Sequence, residues 1–171
     1  MIIIEDLFTS QSYCQAPEPI EWDPLKEPDA LHDTQLLDFR VSPTSNRAAL
    51  LFDMRTASNY LAGNSALLVV RGLKSISWNA APQRRELMAF SVMSSRPSVA
   101  SDGGLLLELQ LFPDGRHSML GTRMEFYLLD SQGIPEAPPN YIGRTIRQVG
   151  NELPSWNSSC VVLQSVATEV E

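Results

Sequence analysis

Across residues 37–129 the apolar side chains of this chain recur at every second position, in short runs separated by turn residues. Only an extended strand sends successive side chains to opposite faces, so the periodicity calls for half-buried β-strands and excludes a helical domain. Leu37, Phe39 and Val41 alternate with Asp38 and Arg40. After the turn cluster at 42–46, Leu50, Phe52 and Met54 alternate again, which predicts an antiparallel hairpin. The run 66–78 holds two strands' worth of apolar residues, with Gly72 expected to mark a bulge or bend. Met88, Phe90 and Val92 follow the loop 82–86. Leu105, Leu107, Leu109 and Leu111 then share a face opposite Glu108 and Gln110.

The sharpest local signal is Pro113-Asp114-Gly115 between two such runs, read as a hairpin in which proline presets φ and glycine supplies a positive φ. Beyond it, Met124, Phe126 and Leu128 oppose Arg123, Glu125 and Tyr127. Gly103-Gly104 reads as another hairpin turn, 56–60 as a turn of helix, and 133–140 as a crossover loop. Ile142, Ile146 and Val149 recur at helical spacing, so a short helix is expected there, ending at Gly150-Asn151 and followed by a strand at 160–166. The fold class is therefore mainly β. An antiparallel sandwich or open barrel is expected, with a short C-terminal helix and an extended N-terminal arm.

Charge divides the chain differently. Residues 1–40 hold nine acids against Lys26 and Arg40, which accounts for the whole net charge of −7. Residues 1–34, with Pro17, Pro19, Pro24 and Pro28, read as an acidic arm or cap in turn and extended conformations. Residues 35–171 read as one β domain. Ile2, Ile3 and Ile4 are suited to an edge strand.

Composition narrows the classes of function. With 171 residues the chain can bury a full core without metal or disulfide support. Cys14 and Cys160 read as isolated thiols, with Cys160 in the core. The start lacks the basic n-region of a signal peptide, and no apolar run is long enough for a membrane-spanning helix, so the expected location is cytoplasmic. An acidic chain is a poor match for phosphate, which argues against nucleic acid as partner. No nucleotide-binding or nucleophile-elbow motif occurs, and the two histidines and two cysteines lack metal-ligand spacing, so no cofactor is expected. His32-Asp33 reads as a turn whose neighbouring side chains diverge, and His117 as an exposed strand residue. Glu108 and Glu125 read as residues of a solvated sheet face.

Leu31-His32-Asp33-Thr34, then Leu50-Leu51-Phe52-Asp53-Met54-Arg55, then the stretch from Leu68 through Arg71-Gly72 to Trp78 resemble small β-sandwich immunity-type proteins of bacterial polymorphic toxin systems. The resemblance covers about residues 31–130 and brings no catalytic residues with it. It implies a stoichiometric inhibitor that neutralises a toxin domain by occlusion. A basic protein partner fits the acidic arm, with Glu21, Asp23, Glu27, Asp29 and Asp33 as contacts and Trp22 as a desolvated anchor. Two other classes compete with it. One is a ligand-binding or hydrolytic sandwich using His32, Asp33 or His117; the other is a subunit whose exposed strands pair with copies of itself.

Overall fold

A computed structural model describes residues 1–82 and 86–171. Most of the expected loop 82–86 therefore lies outside the described residues. Among the described residues the chain forms an open, mainly antiparallel sheet of eleven strands in the order β1-β11-β10-β5-β4-β3-β7-β8-β9-β6, with β2 pairing off this path to β11. The strands are β1 (Ile2–Ile3), β2 (Glu18–Pro19), β3 (Gln35–Ser42), β4 (Arg47–Asp53), β5 (Ser65–Arg71), β6 (Ser75–Asn79), β7 (Phe90–Val99), β8 (Leu105–Phe112), β9 (Gly115–Gly121), β10 (Arg123–Ser131) and β11 (Ser159–Glu169). Among the described residues, two short α-helices, α1 (Ile4–Thr9) and α2 (Ile146–Val149), and a 3-10 turn at Gly150–Glu152 complete it. No helix among the described residues is long and apolar enough to cross a membrane.

The sheet folds over at β3. That strand pairs with β4 along its length but with β7 only through Gln35 and Leu36. Two layers result, β11-β10-β5-β4-β3 and β7-β8-β9-β6, and a first core fills the space between them. Leu50, Phe52, Leu68, Val70, Phe126 and Leu128 contribute to it from one layer, and Leu107, Leu109, Leu111 and Met119 from the other. An irregularity between Leu36 and Asp38 lets both Leu36 and Phe39 join this core while Leu37 packs on the opposite face.

A second core lies on the outer face of β4, β5 and β10. Ala49, Leu51, Leu67, Val69, Tyr127 and Leu129 are covered there by Ile4, Leu7 and Phe8 of α1 and by Trp156. Positions 4, 7 and 8 share one helical face, which is why so short a helix can dock. Burying three such side chains contributes about 1.5–3 kcal/mol each. The Trp156 indole donates to Asp38 (2.7 Å) and lies under the Arg40 guanidinium. Arg47 donates to the carbonyls of Phe8, Thr9 and Ser10, satisfying the open C-terminus of α1.

Beside it, Glu125 is fully buried and accepts from Arg71 (2.9 Å), Arg123 (3.0 Å) and the Tyr127 hydroxyl (2.8 Å). Burial alone pushes the Glu125 carboxyl up, and these donors more than reverse it, leaving it below the usual range. The acids Glu108 and Glu125 thus share no sheet face: Glu108 stands opposite Ser118 on β9, and Glu125 belongs to the second core's rim.

Several local expectations are corrected. Gly72 (φ +58) is a break, because β5 sits in the middle of one layer and β6 at the far edge of the other. Residues 56–60 form no helix; they run as an irregular loop tied by side chains to the N-terminal segment. The hairpin at 113–115 forms, with a cis Phe112–Pro113 bond, but Gly115 has no positive φ. Glycine is needed there because a Cβ would stand 2.9 Å from the Phe90 ring. Ile142 and Ile146 are exposed, and only Val149 of the expected helical face is buried.

Candidate functional site

The first thirty-four residues cross the molecule rather than trailing from it. Residues 1–9 close the second core, and β2 pairs with β11. Residues 21–34 then pass over one end of the first core, which takes in Ile20, Leu25 and Leu31. Prolines hold this last stretch out of regular structure, and the loop after β4 supplies the partners its backbone needs. Thr56 Oγ1 donates to the Asp33 carbonyl (2.6 Å), and Asn59 Nδ2 to the carbonyls of Asp29 (3.0 Å) and Ala30 (3.1 Å). The Tyr60 hydroxyl donates to the Trp22 carbonyl (2.9 Å). Loop 56–60 thus ties down the backbone that carries Trp22, Asp29 and Asp33.

Arg55 anchors that loop. Its side chain forms a buried ion pair with Asp53 (2.6 Å) and also donates to the carbonyls of Pro135, Ala137 and Glu152. One guanidinium therefore joins the 56–60 loop to the crossover loop expected at 133–140.

The predicted contact residues fall into two groups. Trp22, Asp23 and Glu27 gather near Tyr60, and the Glu21 amide donates to Gln164 Oε1 of β11 (3.1 Å). Burial pushes the Tyr60 hydroxyl well above the ordinary phenol range, and the carboxylates of Asp23 and Glu27 add to the shift. Trp22 remains 40 % exposed there, and Leu61, next to Tyr60, is 93 % exposed. A hollow of about 370 Å³ lined by Tyr60, Leu61, Ile134, Pro135 and Glu136 adjoins them. Leu61 escaped the sequence reading because a lone leucine in a polar loop carries no periodic signal.

Asp29 and Asp33 are committed to local structure. Asp29 (φ +59) accepts from the Ser95 amide through Oδ1 (3.1 Å), while its own amide donates to the Ser95 carbonyl (2.7 Å). Asp33 (φ +65) accepts from Ser58 Oγ (2.6 Å).

The left-handed backbone at Asp33 corrects the expectation that His32 and Asp33 diverge. His32 Nδ1 lies 3.2 Å from Asp33 Oδ2 and 3.3 Å from Ser58 Oγ. A hydrolytic triad needs the acid on one ring nitrogen and the serine on the other. Here one nitrogen faces both, and the serine proton goes to the carboxylate, so the trio braces a turn.

His117 is the other correction, since it is buried rather than exposed. It packs edge-on to Phe39 (4.8 Å between centroids) and beside Trp78 (6.2 Å), and its Nε2 has no hydrogen-bond partner. Burial pushes the imidazole down to about 4. Cys160 is buried as expected, its thiol pushed up to about 11 by burial, and both cysteines are free.

On the outer face of the second layer, Ser77, Ser94, Arg96, Glu108, Gln110, Arg116 and Ser118 help to line a trough of about 470 Å³. None of the predicted contact residues lies in it. Among the described residues no group of three or more His, Cys, Asp or Glu side chains is placed to hold a metal ion. No family model, curated protein or solved structure matches this chain.

Proposed function

We propose that this chain is a non-enzymatic protein-binding domain, an immunity-type inhibitor that neutralises a basic toxin domain by occlusion. One observation carries the reading. Glu21, Asp23, Glu27 and Asp29 have no lysine or arginine within ion-pair distance among the described residues, whereas Asp53, Glu125 and Glu152 are matched by arginines. These four carboxylates are thus without ion-pair partners among the described residues, and Glu21 and Asp23 flank Trp22, which is exposed, as is Leu61.

Such a corner attracts a basic surface from a distance and holds it through a desolvated anchor after contact. A toxin that acts on nucleic acid must present clustered cations to phosphate, and those cations are the groups that Glu21, Asp23 and Glu27 would pair with. Occlusion asks nothing of the inhibitor but shape, charge and a firm support, and the loop 56–60 hydrogen bonds supply the support.

The test is protection of substrate by the chain in a cleavage assay with a nuclease toxin domain encoded alongside it. One equivalent of the wild-type chain is expected to abolish cleavage, and the variant with Glu21, Asp23 and Glu27 changed to lysine is expected to protect far less. Equal protection by the two proteins would remove the acidic corner from the mechanism.

A further inference from the structure

Strand register sets the polar side chains of the second layer's trough in two neighbouring rows. Arg96, Glu108 and Ser118 follow one another across β7, β8 and β9 in the first row. Gln110, Arg116 and Asn79 follow one another across β8, β9 and β6 in the second. The rows lie one two-residue repeat apart, roughly 7 Å, and four strands span roughly 14 Å. Leu109 and His117, whose backbone lies between the rows, are buried on the core side, so the trough carries polar groups on its floor and walls.

The charges in it are held apart. Arg40, Arg47, Arg55, Arg71, Arg123 and Arg144 each donate to a carboxylate or a carbonyl. Arg96 reaches only the Ser94 hydroxyl (3.4 Å), and Arg116 has no hydrogen bond or ion pair among the described residues. Arg96 and Glu108 are directly opposed across two strands, yet they too form no ion pair. In a chain of net charge −7, two guanidinium forks thus stand open in one trough.

We propose that this trough binds a small, hydroxyl-rich carboxylate carrying one negative charge, the chemistry of a sugar acid. None of Glu21, Trp22, Asp23 and Glu27 lines it, so the inference goes beyond the inhibitor reading and does not depend on it. Its volume of about 470 Å³ falls among those of small-molecule sites. The planar fork of arginine matches a carboxylate with two parallel hydrogen bonds. Glu108 stands on the strand between the two arginines and leaves the trough a single positive charge, so a second negative charge on the ligand would face a carboxylate. Glu108 accepts from hydroxyls, while Gln110, Asn79 and Ser118 can both donate and accept. The two rows hold no apolar side chain, so an apolar ligand would gain nothing by entering.

Isothermal titration calorimetry of the full chain at low salt tests this. D-glucuronate, D-galacturonate and D-mannuronate are the probes, and D-glucose, acetate and inorganic phosphate are the controls. At least one sugar acid should bind saturably, one per chain, and every control should bind about tenfold more weakly or not at all. Arg96→Gln and Arg116→Gln should each weaken that binding about tenfold or more, through loss of a charge-assisted pair. Both side chains are exposed, so circular dichroism and melting temperature should be unaltered. Glu108→Gln should strengthen phosphate binding. Reversal of Glu21, Asp23 and Glu27 to lysine should leave sugar-acid binding as it is in the wild type, which separates this site from the acidic corner. The proposal is overturned if none of the three sugar acids binds, or if a control binds as well as they do. It is equally overturned if both arginine variants bind like the wild type, or if Glu108→Gln leaves phosphate binding unchanged.

Discussion

Every residue of β4 is buried, whereas β8 hides Leu107, Leu109 and Leu111 and exposes Glu108, Gln110 and Phe112 between them. Both strands line the same first core. They differ in what lies behind them: β4 has the second core at its back, closed by α1 and Trp156, and β8 has solvent. Two kinds of layer are thus built into one sheet. The doubly covered layer holds the buried ion pairs and both chain ends, and the singly covered layer turns Glu108, Gln110 and Phe112 outward.

That contrast can be broken where it is strongest. Arg55→Ala would leave the Asp53 carboxylate, which is fully buried, without its partner and free three loop carbonyls at once. Stability should fall by about 3–5 kcal/mol in chemical denaturation. Glu108→Ala, on the open face of the second layer, should change it by less than about 0.5 kcal/mol. Equal losses at the two sites would dissolve the distinction between the layers.

His117 sharpens the comparison, because it is a titratable group on the second layer's covered side. Its folded value of about 4 lies below the ordinary imidazole value of 6.5, so between those limits the unfolded chain binds a proton that the folded chain refuses. The stability that neutral His117 permits is complete above pH 6.5 and declines as pH falls toward 4, by about 3 kcal/mol at most. Replacing it with phenylalanine suits its Phe39 and Trp78 neighbours and removes the unpartnered Nε2. The fall in stability between pH 6.5 and 4, followed by urea denaturation, should be smaller in His117→Phe. An identical pH profile would place the imidazole in water.

A smaller effect is expected at the hairpin. Gly115→Val drives a side chain into the Phe90 ring and Leu111, and overpacking of this kind costs about 1–3 kcal/mol. Gly103→Ala, where a Cβ would meet nothing within 4 Å but φ is +87, isolates the backbone contribution at a sister turn. Gly115 has no positive φ, so its loss comes from contact, and a Gly115→Val variant as stable as the wild type would contradict the close approach of Phe90.

The second layer was legible in the sequence because a one-sided strand writes its exposure as alternation. Leu105 through Phe112 was readable as alternation, and the 113–115 turn by its place though not by the conformation of Gly115. The doubly buried strands gave the right element type for a different reason. Leu50, Leu51 and Phe52 are apolar on both faces, and nothing local says that α1 and Trp156, about a hundred and fifty residues apart, meet to cover one of them. The clustering of Glu21, Asp23 and Glu27 was visible as composition. The gathering of Asp23 and Glu27 around Tyr60 was not, since it depends on hydrogen bonds from a loop that lacks any periodic pattern. His117 was misread because its position after a turn suggested exposure, while its strand parity with Met119 pointed inward.

The association rate with the proposed basic partner, measured against salt concentration, tests the central claim most directly. Steering by unpaired surface carboxylates acts over roughly 10 Å at 0.1 M salt. The wild-type rate should therefore fall steeply as salt rises, and the variant with Glu21, Asp23 and Glu27 changed to lysine should associate at least tenfold more slowly at low salt, an order-of-magnitude expectation for lost steering. Trp22→Ala should leave association nearly unchanged and speed dissociation. A charge-reversed variant that associates as fast as the wild type, with the same salt dependence, would contradict the assignment of the acidic corner as the binding surface.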